Sequence, residues 1–184
     1  MSFVISLSPV SVAHFEQLLA WRNQDDFVRF VTHRKYAVSS EVFARELAHD
    51  FECDRKEQFL CSTGTGVPCG TAIIYEDGDR TQLLVSVFID TQFRHAGYGI
   101  LATVAAVEYA FRYLRAESVR FDVCKENKNA AALLRRCALL EQQHASRKDL
   151  ISFVITEQSF ANILRGSRTF GALRGRYTIT SQGG

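Results

Sequence analysis

The feature that most constrains this sequence is a strand, a glycine-containing loop and a helix that follow one another within residues 87–101. Gly97 and Gly99 lie in the loop, where the lack of a Cβ lets the backbone approach a ligand closely. The free amides at the start of the next helix point to the same place, and the helix dipole adds positive potential there. Arg94 and His95 lie beside the glycines and can add positive charge. The segment therefore predicts a site for a phosphate or a pyrophosphate.

The rest of the chain alternates between helical and extended patterns around this segment. Three successive strands come before the loop, and Asp77-Gly78 predicts a tight hairpin between two of them, so we expect an antiparallel meander. The order β-α-α-β-β-β-α-β-α-β predicts an α+β fold with a mixed sheet. We expect strands at 3–7, 58–62, 68–75, 80–90, 119–124 and 150–155, and helices at 11–21, 39–51, 100–114, 127–140 and 156–164.

Length and composition fit a single soluble domain. A chain of 184 residues can bury most of its apolar surface without disulfides. Apolar residues make up 47% and charged residues 23%, which argues against intrinsic disorder. The five cysteines are an odd number without CxxC spacing, which argues against a disulfide framework and a structural zinc site. We expect small buried thiols in a reducing compartment, and no metal.

The charge is distributed unevenly along the chain. The net charge is +2, but residues 165–184 carry four arginines and no acid, which leaves −2 for the other 164 residues. We therefore divide the chain into a domain at 1–164 and a basic tail at 165–184, which could meet phosphates, an acidic partner or only water. The overall balance does not favour a nucleic-acid partner. No basic region precedes the first apolar stretch and no apolar run could span a bilayer, so we expect a cytoplasmic protein without a membrane partner.

Two kinds of phosphate-binding loop fit the glycines. Gly97-x-Gly99-x-x-Ala102 matches the dinucleotide fingerprint. That fingerprint belongs in a parallel βαβ unit with an acidic residue about 20 positions later. Here a predicted meander comes before the loop, and the nearest later acids are Glu117 and Asp122. A dinucleotide-dependent enzyme is therefore the least favoured alternative, and Arg94-x-x-Gly97-x-Gly99 is the competing pattern.

This second pattern resembles the acyl-CoA pyrophosphate loop of the GNAT superfamily of N-acetyltransferases. In that family a strand of alternating apolar residues, a turn and an aromatic residue come before the arginine, as residues 87–93 do here. A helix, a strand and an Asn-x-x-Ala motif follow, and Asn127-Lys128-Asn129-Ala130 stands in that place. Trp21-Arg22-Asn23 resembles the branch of ribosomal-protein alanine and amino-sugar acetyltransferases. The resemblance covers residues 3–160.

The resemblance implies a mixed, mostly antiparallel central sheet with helices on both faces and a parallel strand pair that splays apart. Acetyl-CoA, or another acyl-CoA, would bind in the V-shaped gap between the strands that end at Asp90 and Cys124. One strand would pair with the pantetheine arm, the loop amides would hold the pyrophosphate, and Asn127 would contact the pantetheine arm. The implied cosubstrate-binding residues are Val87, Phe88, Ile89, Arg94, His95, Ala96, Gly97, Tyr98, Gly99, Ile100, Leu101 and Asn127.

The implied chemistry is direct attack of a neutral amine on the thioester carbonyl. A backbone N–H near Phe88 or Ile89 would stabilise the developing oxyanion. Some relatives carry a glutamate five residues before the helix-opening asparagine, and Asp122 has that spacing here. Asp122 is therefore the candidate base, acting directly or through water. The alternative is a strand residue that faces solvent or pairs with a nearby arginine.

The general acid and the acceptor site are less defined. The family's usual acid is a tyrosine seven residues after the asparagine, where this chain has Leu134. The thiolate would then leave unprotonated, take a proton from water, or take one from Cys137, His33 or another tyrosine. The connection at residues 21–40 would line the acceptor site, with His33 as a candidate relay or simply an exposed loop residue. Trp21 fits helix core better than a substrate platform.

These patterns together predict an acyl-CoA-dependent N-acyltransferase. The first choice of acceptor is the primary amine of a small molecule, such as an amino sugar or an amino acid, and the second is a protein N-terminus. An acyl carrier protein could replace CoA as donor, since it would be acidic and could meet the basic tail. A non-catalytic acyl-CoA binding module is the alternative from another class, because the usual tyrosine is missing. The edge of such a sheet would also permit a homodimer.

Overall fold

The structure, a computed structural model, describes residues 4–32, 36–137, 140–142, 148–166, 172–173 and 175–180. The strands are β1 (Ile5–Pro9), β2 (Lys56–Thr63), β3 (Pro68–Asp77), β4 (Asp79–Ile89), β5 (Ser118–Cys124), β6 (Leu140–Gln142), β7 (Leu150–Thr156) and β8 (Tyr177–Ile179). The helices are α1 (Phe15–Arg22), α2 (Asp25–Phe27), α3 (Ser40–Phe51), α4 (Tyr98–Arg112), α5 (Lys128–Arg136) and α6 (Glu157–Gly166). A π-helical turn, Val28–Thr32, continues α2, and short 3-10 turns lie at Val12–His14 and Thr91–Phe93.

The described strands form one mixed sheet. Their order is β6-β7-β5-β4-β3-β2-β1-β8. Neighbouring strands run antiparallel from β1 through β4 and from β5 through β7 to β6, whereas β4 and β5, and β1 and β8, run parallel. The predicted α+β class, the meander of β2, β3 and β4, and the parallel pair are therefore confirmed.

Each face of the sheet carries its own apolar cluster, because side chains alternate between the two faces along a strand. On one face, α4, α5 and α6 pack on residues such as Val85, Val119 and Phe153. On the other face, the first helices bury Trp21 against Phe88 and Leu60. Helices thus cover both faces. β4 contributes Leu83, Val85 and Ile89 to the first cluster and Phe88 to the second, so its end is buried on both sides.

Two local signals in the sequence form the structures that they predict. The Ser39 hydroxyl oxygen accepts a hydrogen bond from the Val42 amide at 3.3 Å and caps the start of α3. Gly78 has φ of +82° in the hairpin between β3 and β4, a backbone conformation that glycine adopts without steric cost. Both signals are short-range and need no tertiary contact to act.

Several predicted boundaries are wrong. The first strand begins at Ile5 rather than at residue 3, which lies outside the described residues, and ends at Pro9. The first helix begins with a 3-10 turn at Val12–His14. The helix expected at 127–140 ends at Arg136, and residues 140–142 form β6 instead. A three-residue strand has too few side chains to show a period of two, so its pairing with β7 decides its structure.

The C-terminal segment contributes a strand that the sequence analysis did not predict. β8 pairs parallel with β1, from Ile5↔Tyr177 to Leu7↔Ile179. Backbone bonds at both ends fix this pairing, because the Ile5 amide donates to the Arg176 carbonyl and the Thr180 amide donates to the Leu7 carbonyl, each at 2.9 Å. This part of residues 165–184 therefore continues the sheet.

Candidate active site

The centre of the molecule holds a gap between β4 and β5. The two strands pair only from Gln82↔Ser118 to Leu84↔Arg120. Beyond those pairs, β4 continues along β3 to Ile89, and β5 continues along β7 to Cys124. Each strand therefore keeps its outer partner and loses its inner one, which opens a wedge here called the β4–β5 gap.

Backbone alternation decides which residues of β4 face this gap. The Asp90 amide donates to the Cys69 carbonyl at 2.9 Å, so it points toward β3. The Phe88 carbonyl also points that way, because a Cβ built on Gly70 of β3 would lie 2.1 Å from its oxygen. Since successive residues in a strand turn to opposite sides, the backbone groups of Val87 and Ile89 face the gap. Of the three residues expected to pair with a cosubstrate, Phe88 therefore turns its backbone away.

Residues 90–97, here called the glycine loop, follow β4 and lead into α4. The 3-10 turn comes first, then Arg94, and then two residues with left-handed backbone, His95 at φ +63° and Gly97 at φ +90°. Gly97 is the N-cap of α4, and its position suits glycine because other residues rarely adopt this φ. The Leu101 amide donates to the Gly97 carbonyl at 3.2 Å. Leu101 therefore closes the first turn, which corrects its expected place among the open amide donors.

The side chain of Arg94 turns back toward β4 and the first helices. Its Nε donates to the Ile89 carbonyl at 2.9 Å, and its guanidinium forms an ion pair with Asp26. The guanidinium also lies 5.8 Å from the ring centroid of Phe88. Part of the positive charge expected at the loop is thus neutralised by Asp26. His95 is exposed on the loop itself.

The far side of the gap is formed by the end of β5 and the start of α5. The Asn127 side chain accepts a hydrogen bond from the Ala130 amide at 3.1 Å and so caps α5. The first turn of α4 packs closely on α5, since a Cβ built on Gly99 would lie 3.1 Å from Cδ1 of Leu133 and 3.9 Å from Cγ1 of Ile89. The predicted loop residues and Asn127 therefore lie at the ends of adjacent strands, one set beyond β4 and the other beyond β5.

Asp122 lies on β5 just beyond the last pair with β4. It shares a sheet face with Arg120, opposite the face on which Phe121 and Val123 join the α4 cluster. Its side chain is 13% exposed. The Ser152 hydroxyl donates to Oδ1 at 2.6 Å, and Nε of Arg120 lies 3.3 Å from Oδ2. Asp122 is thus held in place on the face that carries the first helices. The pairing with a nearby arginine, which we gave as the alternative to a role as base, is present.

The other acid candidates lie elsewhere or outside the described residues. His33 lies outside them. Cys137 is buried at the end of α5, beside a small cavity lined by residues of α4, α6 and β7, and not at the gap. Burial raises the pKa of its thiol to about 12. Leu134, which stands where the family has tyrosine, is 4% exposed in the core.

The segment Trp21-Arg22-Asn23 organises the first helices. Trp21 is 1% exposed, which agrees with the expectation of helix core. Arg22 forms an ion pair with Glu46 of α3 at 2.9 Å. The Asn23 side chain accepts from the Val38 amide and donates to the Val38 carbonyl, at 2.8 Å and 3.0 Å. Each residue thus joins α1 to a later part of the chain.

The sequence analysis assigned no role to Asp90. This residue ends β4, is 5% exposed, and accepts a hydrogen bond from Nε1 of Trp21 at 2.7 Å. Burial disfavours its charged form, but hydrogen bonds from Trp21, Gln24, the Gln92 amide and Thr91 outweigh burial and hold the pKa of this carboxyl below its usual value. The only local signal was an aspartate at the end of a strand, immediately before a turn.

A comparison with protein families decides the identity of the domain. Residues 5–139 match the family model described as the acetyltransferase (GNAT) domain. The chain belongs to the GNAT acetyltransferase family. It is accordingly an acyl-CoA-dependent N-acetyltransferase. No sequence relative was found among functionally curated proteins.

Solved structures share this GNAT fold. A spermidine N-acetyltransferase from Vibrio cholerae, crystallised with CoA and spermine, matches with a TM-score of 0.78 and 14% identity over 86% of this chain and 98% of that one. An uncharacterized protein from Bacillus halodurans matches with a TM-score of 0.77 and 12% identity, over 88% of each chain. A domain from Methanocaldococcus jannaschii matches with a TM-score of 0.71 and 11% identity, over 84% of this chain and 99% of that one. At these identities the likeness concerns the fold alone.

The chemistry of the gap fits the cosubstrate that GNAT enzymes use. Backbone groups of Val87 and Ile89 face the β4–β5 gap, on the side where an extended chain with amide groups could pair with β4. The start of α4 offers amides and the positive end of a helix dipole to a pyrophosphate. Within the described residues, no group of three or more His, Cys, Asp or Glu could hold a metal ion. No described helix is long and apolar enough to cross a membrane.

Proposed function

We propose that this GNAT enzyme transfers an acetyl group from acetyl-CoA to the primary amine of a small molecule, such as an amino sugar or an amino acid. The observation that carries the proposal is the β4–β5 gap, which has the glycine loop at one end and Asp122 on one wall. Several proteins of similar structure are spermidine N-acetyltransferases, whose acceptor is also a small amine. The segment Trp21-Arg22-Asn23 resembles the branch that includes amino-sugar acetyltransferases, and this resemblance supports an amino sugar as a candidate acceptor.

The cosubstrate would lie along β4 with its pyrophosphate at the glycine loop. Val87 and Ile89 would pair with the pantetheine arm, and amides between His95 and Ile100 would hold the pyrophosphate. Asn127 would approach the pantetheine arm from the β5 side. Arg94 would contribute through the shape of the loop, because its guanidinium is already bound to the Ile89 carbonyl and Asp26.

The transfer would proceed by direct attack. The amine nitrogen forms a bond to the thioester carbonyl carbon, and the C–S bond breaks as CoA leaves. The Ile89 amide is the donor proposed for the oxyanion, since backbone alternation turns it toward the gap. The ammonium proton would pass to Asp122, directly or through water, and the leaving thiolate would take a proton from water. Leu134 and Cys137 are both buried in the core and are unsuited to that task.

The Asp122→Asn variant tests the base. We expect kcat to fall by about 100-fold or more, because a neutral amide cannot accept the proton. Binding of acetyl-CoA should stay within about threefold of wild type, since Asp122 lies on the acceptor side of the gap. Glu117→Gln is the matched control, because this exposed carboxylate lies just before β5. Unchanged kcat in Asp122→Asn would remove Asp122 from the mechanism.

A panel of amines tests the acceptor class. The purified protein is incubated with acetyl-CoA and, separately, an amino sugar, an amino acid, spermidine and a peptide with a free N-terminus. Release of free CoA thiol and the mass of the product report transfer. We expect acetylation of the amino sugar or the amino acid. Acetylation of the peptide alone would replace the proposal by a protein N-terminal acetyltransferase, and acetylation of spermidine alone would move the acceptor to polyamines.

We also propose that the enzyme works in the cytoplasm. All five cysteines are free thiols, and Cys61, Cys69 and Cys137 are buried. This arrangement suits a reducing compartment, where disulfides do not persist.

A further inference from the structure

The junction between β4 and the glycine loop contains a carboxylate with an unusual environment. Asp90 is 5% exposed, although aspartate is almost never fully buried without a partner. Its Oδ2 accepts from Nε1 of Trp21 at 2.7 Å, and its Oδ1 accepts from Nε2 of Gln24 at 3.3 Å. The Thr91 hydroxyl and the Gln92 amide donate to Oδ1 at 3.2 Å and 3.4 Å. These four groups are neutral donors, so hydrogen bonds stabilise the charge.

The donors come from two different parts of the protein. Trp21 belongs to α1 and Gln24 follows that helix. Both lie on the face of the sheet that carries the first helices. Thr91 and Gln92 belong to the first turn of the glycine loop, of which Asp90 is the N-cap. A single carboxylate thus joins the first helix to the loop. In this role it fixes the direction in which the chain leaves β4.

The direction of the chain at this point controls the rest of the loop. The Asp90 amide is held by the Cys69 carbonyl, and the Arg94 side chain is held by the Ile89 carbonyl at 2.9 Å. Residues 90–94 are therefore anchored at both ends. The left-handed residues His95 and Gly97 come next, and they aim the first amides of α4. A change at the start of the loop would alter the position of those amides.

We propose that Asp90 is a positioning residue for acetyl-CoA, which acts through the glycine loop and does not touch the cosubstrate. This inference rests on the proposed placement of the pyrophosphate at that loop. Asp90 sets the geometry of the loop through its four hydrogen bonds and couples it to α1. It therefore affects affinity for acetyl-CoA more than the rate of the chemical step.

Asp90→Asn is the main test, because it preserves shape and changes only charge and hydrogen bonding. Both carboxylate oxygens of Asp90 accept hydrogen bonds, whereas an asparagine side chain has only one acceptor oxygen. Its NH2 group would therefore face a donor and lose the hydrogen bond on that side. We expect the KM for acetyl-CoA to rise about tenfold, with kcat and the KM for the amine within about twofold of wild type. Binding measured directly by calorimetry should weaken by the same factor.

Whether Asp90→Asn weakens or tightens the binding of acetyl-CoA distinguishes a positioning role from a purely electrostatic effect of the charge. CoA is strongly negative, so removal of a negative charge near its site would tighten binding if charge alone mattered. Tighter binding of acetyl-CoA to Asp90→Asn would therefore overturn the proposal. Lower stability with an unchanged KM would overturn it as well, because Asp90 would then be only a structural residue.

Trp21→Phe provides a second, milder variant. It removes the Nε1 donor and keeps an aromatic ring against Phe88, whose centroid lies 6.2 Å from that of Trp21. We expect a smaller rise in the KM for acetyl-CoA, and no further rise when Trp21→Phe is added to Asp90→Asn, because both changes break the same bond. Fully additive effects on KM would contradict the proposed coupling.

Phe43→Leu is the control for general destabilisation. Phe43 packs in the same apolar cluster as Trp21, with its ring 5.3 Å from that of Phe15. It should lower the melting temperature and leave the KM for acetyl-CoA unchanged. A rise in KM for Phe43→Leu equal to that for Asp90→Asn would show that loosening of the cluster explains both. Failure of the wild type to bind acetyl-CoA would instead refute the proposed function itself.

Discussion

Gly99→Trp should greatly weaken the binding of acetyl-CoA. Gly99 lies in the first turn of α4, and a Cβ there would already come within 3.1 Å of Leu133 Cδ1 and 3.9 Å of Ile89 Cγ1. An indole would have to occupy the space between α4, α5 and the end of β4, where the proposed cosubstrate passes. We expect affinity to fall by about 100-fold or more, which corresponds to about 2.7 kcal/mol. Calorimetry and the thermal shift produced by acetyl-CoA measure this loss.

Two further variants make this result interpretable. Gly166→Trp places the same side chain at the end of α6, where a Cβ meets no atom within 4 Å, and should bind acetyl-CoA like wild type. Gly99→Ala requires Leu133 to move by a few tenths of an ångström and should have a much smaller effect than tryptophan. If Gly99→Trp folds and binds acetyl-CoA with wild-type affinity, the cosubstrate does not lie at this end of the gap.

Gly70→Ala should impair both stability and activity. A Cβ on Gly70 would lie 2.1 Å from the Phe88 oxygen and 3.1 Å from Cα of Ile89, so the clash is with backbone that no side-chain rotation relieves. β3 and β4 must separate at the end of β4, where the gap and the glycine loop begin. We expect the free energy of unfolding to fall by about 3 kcal/mol. Denaturant unfolding measures this change, and the KM for acetyl-CoA should also rise.

Gly166→Ala is the matched control for the backbone effect. A methyl group there meets open space at the end of α6, and its effect on unfolding should stay within about 0.5 kcal/mol. Gly70→Ala with wild-type stability would mean that β3 and β4 can shift apart at little cost. The end of β4 would then be only loosely held against β3, despite the hydrogen bond from the Asp90 amide to the Cys69 carbonyl.

Much of the fold was predictable because its signals are local. Ser39 caps α3, Gly78 makes the hairpin, and the apolar run that begins after Gly99 forms α4. The boundaries that were missed depend on neighbours. β6 and β8 have three residues each and become strands only because β7 and β1 offer free edges. Such pairing depends on contacts between distant residues, which no short sequence window contains.

The candidate site was predictable in part. The glycine loop was identified from its own residues, whereas Asn127 and Asp122 were identified only through the resemblance to the GNAT family. The partners of these residues could not be read from spacing. Asp26 binds Arg94 across 68 positions, and Trp21 binds Asp90 across 69. Both contacts form between the first helices and the loop that follows β4, after the sheet has brought them together.

The sequence by itself determined the α+β class, the hairpin and the helix that begins at the glycine loop, because periodicity, caps and glycine positions act within a few residues. The family followed from the resemblance of its motifs and from the match of residues 5–139 to the GNAT domain. The tertiary structure alone decided that β4 and β5 part after three pairs, that Ile89 faces the gap and Phe88 does not, and that a buried carboxylate links α1 to the loop. Those features are set by strand pairing and by burial of polar groups, whose free energies depend on all the surrounding elements at once.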